Sequence, residues 1–338
     1  MRPFSYRAPA TLAEAVAALA GGGPGARPLA GGTSLYDLMK LGVETPSAVV
    51  DIGRLPELAG FDTAGPEELV FGAGASMADV AEDAVLRAGY PALAESLAKA
   101  ASPQVRNMAT VGGNLLQRTR CGYFRGGPAF DCAKRRPGSG CAARGGLDRG
   151  HAVLGTSDAC TAAYPGDWAV ALLAFDARLD LYGPRGARTI ALADLHRGPA
   201  DAPHEEHTLG AGELVVRIRV PTVPAGRGSV YHKVRDRESF AFALASAAVA
   251  LTLDERGHVA HCRVALGGVA TRPWRAEAAE RAVVGGPLTE EAAVRAGEAA
   301  FADARPGAHN AFKVRLGARV VARALRTAAE RAAGRAVV

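Results

Sequence analysis

The residues best able to do chemistry are four cysteines crowded into the middle of a 338-residue chain. Cys121, Cys132, Cys141 and Cys160 are separated by ten, eight and eighteen residues. Thiolates are the soft ligands that iron–sulfur clusters require, and four of them complete a [4Fe–4S] site. The spacing lacks the paired C-x2–4-C knuckles of structural zinc and the tight cysteine run of bacterial ferredoxins. The spacing alone therefore favours metal or cluster ligation and leaves zinc as an alternative.

Two glycine-rich loops have the composition of phosphate-binding turns. Residues 29–35 (LAGGTSL) lie between a predicted strand and a predicted helix, and residues 110–115 (TVGGNL) form a similar loop. Glycine lets the backbone approach a phosphate, and the free N–H groups of such turns point at the anion. Either loop alone is more typical of a tight turn, whereas the two together indicate one pyrophosphate held from both sides. A G-x-G-x-x-A match at residues 21–26 follows a helix rather than a strand, so we interpret it as a helix end.

Composition limits the classes of protein to which the chain can belong. Its 49% hydrophobic and 22% charged residues are typical of a soluble globular protein, and the length suggests two domains. The net charge is +6, but the arginines are scattered and only 6% of residues are aromatic, which does not favour nucleic-acid binding. The longest apolar run, residues 240–253, is too short to cross a bilayer. The N-terminus has no apolar region of the kind found in export signals, so we expect no signal on this chain.

The elements that must position these residues follow from local patterns. Three capping boxes predict helix starts: Thr11 with Glu14, Ser34 with Asp37, and Ser76 with Asp79. Strands are predicted at residues 27–30, 48–52, 69–73 and 213–220. From residue 118 to about 165 the periodicity disappears, and such long Gly- and Pro-rich segments are usually functional loops or disordered. Beyond a linker, a separate α+β domain is predicted from about residue 228, with strands at 230–234 and 258–266 and helices at 275–283, 290–302 and 310–333.

At the glycine loops the sequence resembles a known family. Residues 28–35 (PLAGGTSL) resemble the first FAD-pyrophosphate loop in the flavoprotein subunits of xanthine dehydrogenase-type molybdenum hydroxylases. Residues 102–115 (SPQVRNMATVGGNL) resemble their second loop, and the similarity covers essentially the whole chain. The resemblance implies an α+β fold with a two-subdomain FAD-binding domain of the p-cresol methylhydroxylase (PCMH)/vanillyl-alcohol oxidase type over residues 1–225. It also implies a C-terminal α+β domain of the CO dehydrogenase flavoprotein type over residues 226–338.

The same resemblance implies which residues contact FAD. Asp167 matches an aspartate that accepts hydrogen bonds from ribityl or ribose hydroxyls, although its position also suits a helix N-cap. Lys233 matches a lysine near the flavin ring, where a cation would stabilise reduced flavin. The complete implied site is Leu29, Ala30, Gly31, Gly32, Thr33, Ser34, Leu35, Ala100, Gln104, Thr110, Gly112, Gly113, Asn114, Asp167, Leu214, Val215 and Lys233.

The cysteine-rich segment resembles an insertion found in bacterial aldehyde oxidoreductases of this family. The similarity lies in residues 118–125 (RTRCGYFR), 136–141 (RPGSGC) and 151–160 (HAVLGTSDAC). It implies that the four cysteines bind a [4Fe–4S] cluster with a structural or potential-tuning role, whose negative charge nearby arginines offset. Cys262 lies far from them and is predicted to be a buried free thiol. We interpret His151 as structural, because four cysteines already complete the site.

The resemblance implies an electron-transfer subunit of a heterotrimer and no catalytic residue for an organic substrate on this chain. A large subunit would carry the molybdenum cofactor and oxidise the substrate, which the insertion suggests is an aldehyde. A small subunit with two [2Fe–2S] clusters would pass electrons through FAD to an external acceptor. The alternatives are a self-contained FAD-dependent oxidase and a zinc-stabilised binding module. Without a signal of its own, the chain is expected in the cytoplasm, or in the periplasm if a small subunit carries a Tat signal.

Overall fold

The chain, described over residues 1–200 and 202–335 in a computed structural model, begins with a small parallel sheet. Its three strands are β1 (Ser5–Arg7), β2 (Ala26–Leu29) and β3 (Ala48–Asp51). They lie in the order β1-β3-β2, so that the last strand in sequence is the central one. Helix α1 (Leu12–Gly21) begins at Thr11, whose hydroxyl accepts a hydrogen bond from the N–H of Glu14, as its capping box predicts. Leu19 of α1 and Val50 of β3 belong to one small hydrophobic core between the helix and the sheet.

The other two capping boxes have different outcomes. Ser76 caps its helix as predicted, since its hydroxyl accepts from the N–H groups of Ala78 and Asp79. The prediction for Ser34 is wrong, because its side chain makes no capping hydrogen bond to α2 (Leu35–Lys40). Ser34 has φ −111° and ψ −51°, whereas a capping residue needs an extended backbone to turn its hydroxyl toward the first turn.

A five-stranded antiparallel sheet forms the second layer. Its order is β4-β5-β8-β6-β7, with β4 (Phe61–Asp62), β5 (Glu68–Gly72), β6 (Arg178–Gly183), β7 (Gly186–Ala191) and β8 (Leu214–Pro221). Six helices lie before or between these strands in the chain and pack near them: α3 (Met77–Glu82), α4 (Ala84–Gly89), α5 (Pro91–Ala98), α6 (Pro103–Met108), α7 (Val111–Leu115) and α9 (Trp168–Leu173). Helix α9 is buried on all sides, and its Trp168 meets the Phe71 ring edge-on at 5.3 Å. On β8, Arg219 donates to Glu68 of β5 across 151 residues of chain.

Residues 118–165, which we call the cysteine segment, have little regular structure, as predicted. The segment contains one short α-helix, α8 (Gly122–Arg125), and a 3-10 turn at Gly127–Ala129, and the rest is turns, loops and isolated bridges. Its end is bonded to the C-terminal part of the chain. The N–H of Val153 donates to Val269 at 2.8 Å, and its carbonyl accepts from Arg305 at 2.7 Å. The cysteine segment therefore joins the two predicted domains by backbone hydrogen bonds.

The C-terminal part is a four-stranded antiparallel sheet covered by helices. The sheet order is β12-β11-β10-β9, with β9 (Ser229–Val234), β10 (Ala245–Leu253), β11 (Val259–Gly267) and β12 (Trp274–Arg275). Helices α10 (Glu277–Val283), α11 (Glu290–Ala299) and α12 (Phe312–Ala332) follow, close to the predicted positions. The boundary predicted between residues 225 and 226 falls in a 3-10 turn and stays a prediction. Among the described residues, no helix has the length and apolar character needed to cross a membrane.

Candidate cofactor sites

A cleft of about 1700 Å³ is walled by both glycine loops. Drug-sized ligands occupy roughly 300–1000 Å³, so this volume is large enough for a dinucleotide. The residues predicted to contact FAD all line the cleft except Gln104 and Lys233. Gln104 is exposed on α6, and Lys233 is buried behind Asp167. The structure thus brings the two loops, Ala100, Asp167 and residues 214–215 together around one space.

The first glycine loop presents unused backbone donors to the cleft. Within the described residues, no backbone N–H of residues 31–35 donates to a protein acceptor. Gly32 has φ +73°, the left-handed conformation that lets consecutive N–H groups converge on an anion. A Cβ added at Gly31 would overlap the Met108 carbonyl, which shows how closely the two loop regions approach each other. This loop fits a phosphate group, as its sequence predicts.

The two glycines of the second loop do not present free N–H groups, and that part of the prediction is wrong. The N–H groups of residues 111–113 donate to the Ala75 and Ala73 carbonyls and to the Thr110 hydroxyl, at 2.9, 2.9 and 3.1 Å. The reason is that these residues form the first turn of α7, which is capped by Thr110 and held against the end of β5. A Cβ added at Gly112 would lie 2.8 Å from the Ala73 Cβ. Gly112 therefore permits close packing of the cleft wall rather than contact with an anion.

Two arginines of the cysteine segment were not predicted to face the cleft. Arg120 and Arg125 both line it and share one carboxylate, that of Asp37, at 3.5 and 2.9 Å. Burial and the charge of Arg125 lower the pKa of Arg120. The Arg120 Nε and Arg125 Nη1 atoms are buried, and no acceptor for either is found in the part of the chain that the structure describes. An excess of positive charge with unused donors suits the negatively charged pyrophosphate of a dinucleotide.

Asp167 is held by a buried hydrogen-bond network rather than left free. Its Oδ1 accepts from the Tyr231 hydroxyl at 2.5 Å and its Oδ2 from the Lys233 ammonium at 2.9 Å. Lys233 also donates to the Lys99 carbonyl at 2.9 Å. Burial raises the pKa of Asp167, and Lys233 and Tyr231 oppose that rise. Although Asp167 occupies the N-cap position of α9, its side chain makes no capping bond, so the N-cap alternative is wrong.

The four cysteines line a second, small cavity of almost entirely apolar surface. Cys132 and Cys141 pair across an isolated antiparallel bridge, and Cys160 approaches from the far end of the segment. All four are free thiols. Burial raises the pKa of Cys121 to about 11 and raises that of Cys160. Among the described residues, no three His, Cys, Asp or Glu side chains are grouped as ligands of a single metal ion.

His151 contacts one of these four cysteines, whereas the fifth cysteine of the chain, Cys262, lies in another element. His151 Nε2 lies 3.2 Å from the Cys121 Sγ, while its Nδ1 is buried without a partner in the described residues. Burial lowers the pKa of His151, so the ring is neutral near pH 7. It therefore contacts a predicted ligand directly, which the sequence did not indicate. Cys262 is a buried free thiol in β11, as predicted, and does not line the cavity; burial raises its pKa to about 12.

Comparison with known families agrees with the geometry of the larger cleft. Residues 2–223 match the family described as the FAD binding domain in molybdopterin dehydrogenase. The chain belongs to the FAD-binding medium subunits of molybdenum hydroxylases. Residues 229–328 match the CO dehydrogenase flavoprotein C-terminal domain. The predicted α+β fold class and FAD binding are confirmed, and this medium subunit is part of an oxidoreductase.

Known relatives of this medium subunit extend over nearly its full length. The aldehyde oxidoreductase FAD-binding subunit PaoB of Escherichia coli (strain K12) is 44% identical over 96% of this chain and 98% of its own. The carbon monoxide dehydrogenase medium chain of Hydrogenophaga pseudoflava is 31% identical, with 98% of both chains covered. A solved structure of CO dehydrogenase from Oligotropha carboxidovorans matches with a TM-score of 0.77 and 28% identity, covering 98% of this chain and 99% of that one.

His196 makes the stability of the medium subunit depend on pH. Its ring is buried in the cleft wall, donates from Nε2 to the Leu115 carbonyl at 2.9 Å and packs edge-on against Tyr164. Burial lowers the pKa of His196 to about 4. The imidazole of His196 therefore binds a proton more tightly in the unfolded chain than in the folded one. The stability that the neutral, buried ring contributes is fully present above the unfolded pKa, and it is lost as the pH falls toward 4.

We expect the free energy of unfolding to fall by roughly 2–3 kcal/mol between pH 7 and pH 4.5 from this group alone. Urea unfolding at several pH values measures it, with His196→Gln as the comparison. The variant should lose this component of the pH dependence while keeping the hydrogen bond to Leu115 through its amide. Equal slopes for wild type and variant would show that His196 is not the responsible group.

Proposed function

We propose that this chain is the electron-transfer subunit of a heterotrimeric molybdenum-dependent aldehyde oxidoreductase. Electrons would come from two [2Fe–2S] clusters on a small subunit and leave through FAD to an external acceptor, while a large subunit with the molybdenum cofactor oxidises the aldehyde. The observation that carries the proposal is one cleft lined both by residues 31–35, whose five N–H groups have no acceptor among the described residues, and by arginines of the cysteine segment. The 44% identity to a subunit named for aldehyde oxidoreductase supports the substrate class.

The chain's own residues would bind and orient the cofactor. The N–H groups of residues 31–35 would hold the pyrophosphate, and Arg120 and Arg125 would supply further donors. Asp167 would accept from ribityl or ribose hydroxyls, with Tyr231 and Lys233 fixing its orientation. When bound, FAD supplies the redox chemistry, and the protein supplies orientation and electrostatics. Gln104 and Lys233 do not line the cleft and would not contact FAD directly. Lys233 would act on the cofactor only by holding Asp167 in place.

An anaerobic reduction experiment tests the assignment. The chain is purified with its neighbouring subunits and, separately, alone, and each preparation is mixed with an aromatic aldehyde. We expect bleaching of the flavin absorption only in the assembled enzyme, because the substrate site lies on another subunit. Bleaching of the isolated chain by aldehyde would favour a self-contained FAD oxidase. An assembled enzyme whose flavin stays oxidised while the partner clusters are reduced would also contradict the proposal.

We further propose that Cys121, Cys132, Cys141 and Cys160 hold a [4Fe–4S] cluster. They share one small cavity, and they reach it from four positions spread over a segment with little regular structure. Burial disfavours free thiolates at Cys121 and Cys160, and bonding to iron would remove that cost because the ligand is then a metal-bound thiolate. The ammonium of Lys134 lies beside the cavity and would offset negative charge there.

Replacing one ligand should remove the cluster. We expect Cys132→Ser to lose the iron assigned to this subunit, about four atoms per chain. Iron and zinc analysis of the assembled enzyme measures this, after subtraction of the iron in the small subunit. Cys262→Ala is the matched control, since it also replaces a buried cysteine but lies in β11 and should keep all the iron. One zinc per chain in the wild type, lost in Cys132→Ser, would instead support the zinc alternative.

A further inference from the structure

Two residues, Lys134 and Ala162, line both the cysteine cavity and the FAD cleft, and Lys134 is the charged one of the two. Lys134 lies two residues after Cys132, in a turn closed by hydrogen bonds from Arg135 and Arg136 to the Cys132 carbonyl at 3.0 and 2.9 Å. The position of its backbone is therefore set by the turn that begins at a cysteine. Only 10% of the Lys134 side chain is exposed, so its ammonium must form hydrogen bonds mainly with protein groups rather than with water.

The Lys134 ammonium is hydrogen-bonded to Glu206, a residue of the cleft wall. Its Nζ donates to Glu206 Oε1 at 2.9 Å and to the Pro203 carbonyl at 2.8 Å. Burial alone would raise the pKa of Glu206, but Arg118 and Lys134 hold it below its usual range. Glu206 is thus a buried anion that depends on two cations. One of these cations belongs to the turn after Cys132.

The second cation extends the network across the cleft. Arg118 donates from Nε to Glu206 and from Nη1 to Glu44, and its guanidinium lies 4.6 Å above the Phe124 ring. Glu44 follows α2, which begins at the first glycine loop, and Arg118 follows α7, which contains the second. We call Lys134, Glu206, Arg118 and Glu44 the clasp. All four line the cleft, and they come from the residues after α2, from the two ends of a 17-residue stretch of the cysteine segment, and from the chain between β7 and β8.

We propose that Lys134 is a positioning residue that couples occupancy of the cysteine site to FAD binding through the clasp. Ligation at Cys132 fixes the turn, the turn fixes Lys134, and Lys134 fixes Glu206 and, through Arg118, the walls that carry the two glycine loops. When the cysteine site is empty or disrupted, the clasp loosens and FAD leaves faster. The coupling rests on the proposed cluster, whereas the clasp itself needs only the FAD site.

The rate of FAD release from the assembled enzyme tests the clasp. Flavin fluorescence rises when FAD leaves the protein, so dilution of the enzyme gives the rate directly. We expect Lys134→Met to release FAD about tenfold faster, a change of about 1.4 kcal/mol. Lys134→Arg keeps the charge and should restore slow release. Arg136→Gln is the matched control, because this arginine lies in the same turn but is exposed and, among the residues that the structure describes, pairs only with Asp131.

A double-mutant cycle tests the coupling. Cys132→Ser alone should also speed FAD release about tenfold, and adding Lys134→Met to it should have no further effect, because both act through one path. If Cys132→Ser releases FAD at the wild-type rate, or if the effects of the two substitutions on that rate simply add, the coupling is overturned. Wild-type release from Lys134→Met would overturn the clasp. If the wild-type chain contains no iron or zinc, the cluster proposal and the coupling fail together, and the Lys134→Met rate still decides the clasp. Should Lys134→Met fail to assemble, Glu206→Gln provides the same measurement.

Discussion

Gly31→Ala is expected to weaken FAD binding strongly, while Gly21→Ala leaves it intact. A Cβ at Gly31 would overlap the carbonyl of Met108, a backbone atom just before the second glycine loop. The two loop regions would have to move apart, and overpacking of this kind costs about 1–3 kcal/mol. Since each 1.4 kcal/mol is a tenfold change in affinity, FAD binding should weaken by roughly one to two orders of magnitude.

The glycine control separates this clash from the general effect of adding a methyl group. Gly21 ends α1, and a Cβ there meets no atom within 4 Å. Alanine is favoured over glycine in helices by about 1 kcal/mol, so Gly21→Ala should be neutral or slightly stabilising. FAD content after gel filtration and the midpoint of thermal unfolding measure both effects. Normal FAD content in Gly31→Ala would show that the cleft tolerates separation of its loops.

Lys233→Met is expected to destabilise the protein by about 3–5 kcal/mol, because it leaves the Asp167 carboxylate buried without its cation. The two side chains are 1% and 6% exposed, so water cannot replace the lost partner. In Asp167→Asn/Lys233→Met both charges are absent, and we expect at least half of the lost stability to return. Chemical unfolding of the purified chain measures the three free energies.

The double variant also distinguishes stability from cofactor binding. Asp167 lines the cleft and Lys233 does not, so the double variant should regain stability and still bind FAD weakly. If Lys233→Met costs less than about 1 kcal/mol, as exposed pairs do, the network does not hold Asp167 in the way the structure indicates. If the double variant binds FAD like the wild type, Asp167 is not a cofactor contact.

Features confined to one stretch of chain could be predicted from the sequence, and features that depend on packing could not. The free N–H groups of residues 31–35 follow from glycines in a short loop before a helix. The N–H groups of residues 111–113 have the same local signal, but the end of β5 lies against them and accepts two of their hydrogen bonds. No local pattern shows which strand will lie beside a loop.

The same distinction explains the two predicted contacts that lie outside the cleft. Lys233 is on β9 and Asp167 is at the start of α9, and only the packing of these elements puts the lysine behind the aspartate. Gln104 lies on α6 with its side chain exposed, while nearby Ala100 lines the cleft. The orientation of Arg120 and Arg125 toward the cleft depends on Asp37 in α2, far away in sequence.

The pairing of β5 with β8 sets the order in which the protein can be assembled. The bond from Arg219 to Glu68 closes a loop of 151 residues, and the cysteine segment lies inside that loop. Loops of this length close slowly, because the chain must be ordered before distant contacts compensate for it. The end of the segment is also bonded to Val269 and Arg305, which leave the ribosome later still. The cysteines therefore reach their final arrangement only after nearly the whole chain has been synthesised, and insertion of the proposed cluster would be a late step in maturation.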